Sequence, residues 1–445
     1  MKNLILLSAL LGIAVCYAND ITEFRGEGRR GFFDKEKNLL NDWKAQKPKE
    51  LWYNDELGDA YGSLSIVGDK IFTTGIGKYE TEEVNEKDGK NIWKYDGREF
   101  LYALSKKDGK LLWSVDIGES SGGKDPKPNN YPAARSTPTY VDGHLYVVSG
   151  AGDVACVTVD GKIVWQANIV KDFNGKPTKG GMWGWSISPL VYDGKVIFTI
   201  GADEGTMIAL DAKTGKKVWL SDALGGPASY ASPNLIEKNG KKQVVGMNED
   251  WMFGVDPANG KVAWKFGLKQ LEELGEGGAK DHFYIWCVTP VLMGNMVISS
   301  CGYHVGTFAV EVNDTLTEAK FAWIVPDLDA RMGHPAFADG IVWVAGQSKK
   351  LGAIDAKTGE VLWRYPWGHA ASVTAADGML YCLTEWSGLV LVEMSKTEVT
   401  ENKGGIRGRG GLLIGGGVSW SHPVISDGVL YIRNGNALAA FDVKK

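Results

Sequence analysis

The chain has 445 residues, of which 58 are glycine, 17 tryptophan and 16 tyrosine, and its net charge is −5. Glycine at about 13% is nearly twice the usual ~7%, while 44% hydrophobic and 23% charged residues are ordinary for a chain with a core. Disorder and collagen are excluded, and the mild acidity lacks the basic stripe that a nucleic-acid backbone requires.

In chain order, residues 1–18 (MKNLILLSALLGIAVCYA) read as a cleaved secretory signal. Lys2 supplies the positive charge, and Leu4 to Val15 are too short to span a bilayer. Ala18 is the small residue before the polar Asn19-Asp20. Cys16 leaves lipidation open as an alternative, although Val15 stands where a lipidated cysteine normally follows Gly, Ala or Ser. No later run reaches ~18 apolar residues, so a soluble, monomeric protein without a transmembrane segment is expected, periplasmic or secreted. Residues 19–50 form an N-terminal extension and 51–445 a repeat domain.

Removal of the signal leaves Cys156, Cys287, Cys301 and Cys382, and an even count in an exported chain invites disulfides. A hairpin turning at Met293-Gly294 pairs Leu292 with Asn295 and sets Cys287 opposite Ser300. Cys301 then lies on the other face of the sheet, so buried thiols are expected instead.

One unit recurs: ALSKKDGKLLW (103–113), VTVDGKIVW (157–165), ALDAKTGKKVW (209–219), GVDPANGKVAW (254–264) and AIDAKTGEVLW (353–363). In each, glycine stands four residues before tryptophan. A sixth copy (310–323) keeps Trp323 without the glycine, and a seventh, VLVEMSKTEVTENKG, has lost both. Asp and Lys-Thr-Gly make a β-turn, and the tryptophan just beyond is a flat wedge with one N–H to satisfy. A second unit precedes each copy: Ser-Pro, Thr-Pro or His-Pro, a β run, Asp-Gly and another β run, as in STPTYVDGHLYVVSG and HPVISDGVLYIRN.

Counted together, these units predict an all-β fold: an eight-bladed β-propeller of four-stranded antiparallel blades. Seven blades run from Gly62 to about Lys403, and the eighth starts near Ser421. The eighth lacks its last strand, which ELWYND around Trp52 supplies from the other end, closing the ring. Trp52, Trp113, Trp165, Trp219, Trp264, Trp323 and Trp363 are assigned to packing between blades. Loops carry the irregularities: a charged insertion (78–100), a segment with one helical turn (268–278) and a glycine-rich link (404–417).

The repeats, with ARSTP, MWGWSISP and SHPVISDGVLYIRN, resemble the tryptophan-docking repeat of the PQQ-like propellers, which include BamB and the quinoprotein alcohol dehydrogenases. The resemblance implies three functions: a ligand- or protein-binding module, a quinoprotein-type oxidoreductase acting on alcohols or sugars with PQQ and Ca²⁺, or a BamB-like assembly scaffold. The dehydrogenases' adjacent cysteine pair is missing, and no Cys-x-x-Cys-His offers a haem. Asn248-Glu249-Asp250, the nearest run of Ca²⁺-type oxygens, reads as a solvated turn between the second and third strands of blade four.

In propellers the innermost strands start at the mouth of a central funnel. Residues just before those strands are Tyr61, Arg135, Trp183, Trp185, Tyr230, Tyr284, Trp286, His334, His369, Trp420 and His422. Flat aromatic faces suit sugar rings or a planar cofactor, arginine suits a carboxylate or phosphate, and histidine a proton or a metal. The expected partner is a small molecule, a glycan or a protein at this funnel, with no nucleic acid involved.

Overall fold

The computed structural model describes residues 20–84, 91–124, 131, 133–271, 285–386, 388–399, 401–406 and 418–445. The signal sequence, Tyr284, most of the 268–278 segment and residues 407–417 of the glycine-rich link lie outside them.

Eight four-stranded antiparallel sheets follow one another along the chain. Blade one comprises Leu64–Val67, Lys70–Val84, Asn91–Ser105 and Leu111–Glu119. Blade eight comprises Val424–Ser426, Val429–Asn434, Ala437–Asp442 and the N-terminal strand Lys49–Asn54, which pairs Tyr53 with Ala439 and Asn54 with Leu438. The ring is therefore closed by joining the two ends of the chain.

The Asp-Gly hairpins form because both residues adopt positive φ, the geometry that matches the twist of the flanking strands. Asp142-Gly143 has φ of 47° and 80°, Asp193-Gly194 48° and 68°, and Asp427-Gly428 55° and 70°. Apolar clusters fill the spaces between successive blades. One joins Tyr146, Cys156 and Trp165 of blade two to Phe198 and Ile208 of blade three.

The tryptophans lock each blade to the next. Nε1–H donates to a carbonyl across the gap: Trp52 to Lys106, Trp113 to Val159, Trp165 to Ala212, Trp219 to Pro257, Trp323 to Ala356 and Trp363 to Ser395, at 2.8–3.2 Å. The repeat glycine lies under the indole of the preceding blade. A Cβ on Gly215 would stand 2.6 Å from Trp165, and one on Gly260 2.5 Å from Trp219. Blade five has lost that glycine, and Trp264 behaves differently. Its Nε1 donates to Gln243 Oε1 at 2.8 Å, and Gln243 Nε2 passes the link to Leu316 O at 2.6 Å. Gly215→Val should lose about 2–4 kcal/mol, since it adds a positive-φ penalty to a clash with a ring that cannot swing away. Gly240→Ala, at φ 74° with open space around it, should lose only about 1 kcal/mol. Urea unfolding of the two variants checks the contrast.

Three expectations are corrected. The insertion in blade one is not a loop: Lys70–Val84 and Asn91–Ser105 continue as a paired ribbon as far as Val84 opposite Asn91. Within the glycine-rich link, Gly405–Ile406 pair with Leu389 and Val390 as the outer strand of blade seven. The blade-five hairpin pairs Leu292 with Val297 and Met293 with Met296, so Gly294-Asn295 is the turn. The register slips by two residues, which preserves the faces, and all four cysteines are free thiols.

Residues 20–36 occupy the middle of the ring. Ile21 exchanges hydrogen bonds with Ile66 of blade one, and Tyr140 N–H of blade two donates to Thr22 O. Asn234 of blade four donates to Gly28 O, Phe337 N–H of blade six to Arg30 O, and Phe33 N–H to Ala375 O of blade seven. Glu36 accepts the Asp427 and Gly428 N–H groups of blade eight. A segment that touches blades on all sides of a ring must cross its axis.

Candidate functional site

Each blade brings one equivalent residue to the axis at or just before the start of its inner strand, mostly ahead of proline: Ser63, Thr137, Ser188, Ser232, Thr289, His334, Ser372 and His422. Four of these side chains accept a backbone N–H group of the preceding blade. Ser63 N–H donates to Thr137 Oγ1 at 3.0 Å, Thr137 N–H to Ser188 Oγ at 2.9 Å, and Ser188 N–H to Ser232 Oγ at 2.9 Å. His334 does the same with a larger ring, its Nε2 accepting Thr289 N–H at 3.1 Å.

Two residues upstream of this tier stand Tyr61, Arg135, Ser186, Tyr230, Cys287, Met332, Ala370 and Trp420. All except Ala370 line one cavity of about 190 Å³. A cavity of about 150 Å³ already admits benzene, so this one has room for a ring. Tyr131, Trp183, Ile285, Tyr303 and Arg331 complete the wall, and Phe24, His334 and His422 form the base.

The wall has two aromatic sides. Trp420 packs 4.7 Å from Tyr61 and 5.1 Å from Tyr131, while Trp183 meets Tyr230 edge-on at 6.3 Å. Arg135 lies 5.6 Å from the Tyr61 ring and donates to Tyr131 O and Ala133 O at 2.7 and 2.9 Å. Burial holds the Arg135 guanidinium below its ordinary pKa, against the opposing pull of Tyr61 and Tyr230. Arg331 lies 5.9 Å from Tyr303. Burial would lower its pKa too, but Glu385 and Tyr303 outweigh it and hold the group above the usual value. Glu385 Oε1 accepts both Arg331 Nη2 at 3.2 Å and Trp420 Nε1 at 3.0 Å. Blade seven thus contributes the carboxylate that orients an arginine and a tryptophan of its neighbours. Burial pushes the Cys287 thiol up to about 12, so it stays protonated beside Met332 Sδ at 3.5 Å.

At the base, burial and then the charge of Arg25 hold both imidazoles well below the usual histidine range. They are neutral. Because His334 Nε2 accepts, its proton is on Nδ1, 3.1 Å from His422 Nε2, and the His422 proton is on Nδ1. Phe24 meets both rings edge-on, at 5.3 and 5.1 Å.

Of the residues expected at the funnel, Tyr61, Arg135, Trp183, Tyr230, His334, Trp420 and His422 come together in this cavity, and Trp185, Trp286 and His369 do not. Gly184, at φ 70°, turns the chain between the two indoles. Trp183 faces the cavity, and Trp185 packs between blades two and three. Ile285 and Cys287 face the cavity, so Trp286 points away, donating to Glu249 O at 3.1 Å and packing edge-on to Phe308. His369 lies outside the lining, edge-on to Trp367 at 5.8 Å. Asn248–Asp250 is the turn between Lys241–Met247 and Trp251–Val255, but it is only partly solvated: Asn248 is fully buried, its Oδ1 accepting the Asp250 and Trp251 N–H groups.

The calcium–quinone pair of the dehydrogenases needs about six to eight oxygens on the metal, several from carboxylates. Among the described residues, the cavity lining contains no Asp or Glu, and no group of three His, Cys, Asp or Glu could hold a metal. The donor set here does not fit a calcium-bound cofactor.

Comparison with known proteins agrees with the architecture. The chain is 23% identical over 477 residues to a polyvinylalcohol dehydrogenase of Pseudomonas sp, covering 82% of this chain and 72% of the relative. Among solved structures it resembles a quinohemoprotein alcohol dehydrogenase from Comamonas testosteroni (TM-score 0.65, 13% identity, 96% of this chain and 81% of that one). It also resembles BamB from Moraxella catarrhalis (TM-score 0.52, 12% identity, 83% and 97%). At these identities the two structures establish the fold alone. The family model described as outer membrane protein assembly factor BamB matches residues 97–276 and 313–400, more than half of the chain, and the protein belongs to that PQQ-type propeller family.

Proposed function

We propose that the protein is an exported binding propeller that takes a flat organic anion into its central cup. The observation that carries this reading is the composition of the cup. Two aromatic sides, two arginines and a closed, uncharged base converge there with no carboxylate among the described lining residues. Aromatic faces give area to a ring, and a guanidinium in a partly dry pocket favours an anion that water no longer screens. Cleavage after Ala18 would leave the axial segment intact, because its first bond to the ring is made by Asp20, whose Oδ1 accepts Gly68 N–H at 2.9 Å.

The test pairs 2-naphthoate with its neutral counterpart 2-naphthylmethanol. Calorimetry should show saturable binding of the acid and at least tenfold weaker binding of the alcohol. Arg135→Met should erase most of that difference, as expected when one charge-assisted contact is removed. Equal affinity for acid and alcohol would refute the reading.

A second reading, an alcohol-oxidising quinoprotein, is favoured by the similarity to the polyvinylalcohol dehydrogenase across most of both chains. It expects dye-linked oxidation of an alcohol after addition of PQQ and Ca²⁺. The donor set of the cup stands against the metal that this chemistry uses.

A further inference from the structure

A ring of eight blades leaves an open channel along its axis, and a cup needs a closed end. In this chain the closure comes from residues 20–36. Five of them adopt left-handed φ, namely Arg25 (65°), Gly26 (72°), Gly28 (64°), Arg29 (57°) and Gly31 (64°), so the segment is a compact knot. Two of its glycines are demanded by contact as well: a Cβ on Gly31 would stand 2.0 Å from the Arg25 guanidinium, and one on Gly26 3.1 Å from Phe33.

The knot is anchored by two buried arginines aimed at main-chain carbonyls of different blades. Arg29 donates to Ser188 O at 3.0 Å and Pro189 O at 2.8 Å in blade three, and to Glu23 Oε2 at 3.3 Å. Arg25 donates to Pro335 O of blade six and to Val373 O of blade seven at 3.3 Å. Phe24, between these anchors and the cavity, is the one residue of the knot that lines it. Its partners are His334 and His422, which stand where other blades place Ser or Thr. The larger rings reach the axis and meet the phenyl ring. The two departures from the small-hydroxyl tier are therefore the two whose rings pack on Phe24.

We propose that residues 20–36 are a working part of the binding site: a plug whose Phe24 is the base against which the ligand packs, so that plug docking and cup occupancy stabilise each other. This rests on reading the cup as a binding site. A ligand seated on Phe24 loses that contact when the plug undocks, and by linkage the plug raises ligand affinity by the same factor as the ligand raises plug docking.

The experiment uses the full chain with 2-naphthoate as probe. Saturating probe should slow amide exchange in residues 21–36 at least tenfold. Phe24→Ala should weaken probe binding at least fivefold, with Phe24→Leu between it and the wild type. Unchanged exchange in 21–36 and wild-type affinity in Phe24→Ala, while Trp183→Ala weakens binding, would overturn the role of the plug and leave the cup standing. Absence of probe binding to the wild type would overturn both. The exchange measurement on the wild type decides the matter even if Phe24→Ala does not fold.

Discussion

Replacing Arg29 with methionine should lower stability by about 3–5 kcal/mol and release the plug before the ring unfolds. The side chain is completely buried. Methionine roughly fills its volume, so the loss is chiefly polar. Ser188 O loses its charged donor at 3.0 Å, and a buried carbonyl left unmet costs about 1–3 kcal/mol. Pro189 O keeps Thr139 Oγ1 at 2.7 Å but loses a charged hydrogen bond at 2.8 Å, itself worth about 1.5–3 kcal/mol. Glu23 keeps some contact with solvent, so its lost partner adds little. Because the plug holds the blades through separate bonds, its loss should appear as an early, low-cooperativity step in urea. Limited proteolysis at residues 20–36 should detect that step well below the main transition. A single transition of wild-type midpoint would contradict the anchoring role.

Glu99 carries the second large effect, and it depends on pH. The carboxyl is fully buried beside blade two, accepting Gly150 N–H at 2.9 Å. Burial pushes its pKa up to about 7, more than the Gly150 N–H and the nearby Arg135 charge can offset. Its ordinary value is 4.5, so the folded protein holds this proton between roughly pH 4.5 and 7 where the unfolded chain has released it. Stability from this group is therefore complete below pH 4.5 and declines as pH rises through 7, by up to about 3 kcal/mol. Glu99→Gln keeps the shape and an acceptor for Gly150 without the charge. It should lie within about 1 kcal/mol of the wild type at pH 5 and exceed it by about 3 kcal/mol at pH 8.5 in urea unfolding. Parallel stability curves across that range would refute the assignment.

The blade count, the Asp-Gly hairpins and the closing strand at Trp52 were legible in the sequence because local chemistry repeats. A turn that needs two positive-φ residues and an indole that needs bare backbone under it leave the same letters each time. The cup was legible only in part. Its wall follows a fixed offset, two residues before the Ser/Thr/His tier, which yields Tyr61, Arg135, Tyr230, Cys287, Met332 and Trp420 directly. Choosing the nearest aromatic instead led to Trp185, Trp286 and His369, which belong to cores between blades or lie beside the cavity. Arg331 and Glu385 carried no local signal, since their pairing spans two blades. The plug was least visible. FRGEGRRGFF has no periodicity, and Arg25 and Arg29 look like surface charge until blades three, six and seven supply the carbonyls that meet them.

The central claim is that the cup of Tyr61, Arg135, Trp183, Tyr230, Arg331 and Trp420 binds a flat organic anion. Titration of 2-naphthoate followed by tryptophan fluorescence tests it most directly, because Trp183 and Trp420 line the cavity. Saturable quenching is expected in the wild type, at least tenfold weaker in Arg135→Met and reduced in amplitude in Trp420→Phe. Quenching that is linear in added naphthoate and identical in all three proteins would contradict it.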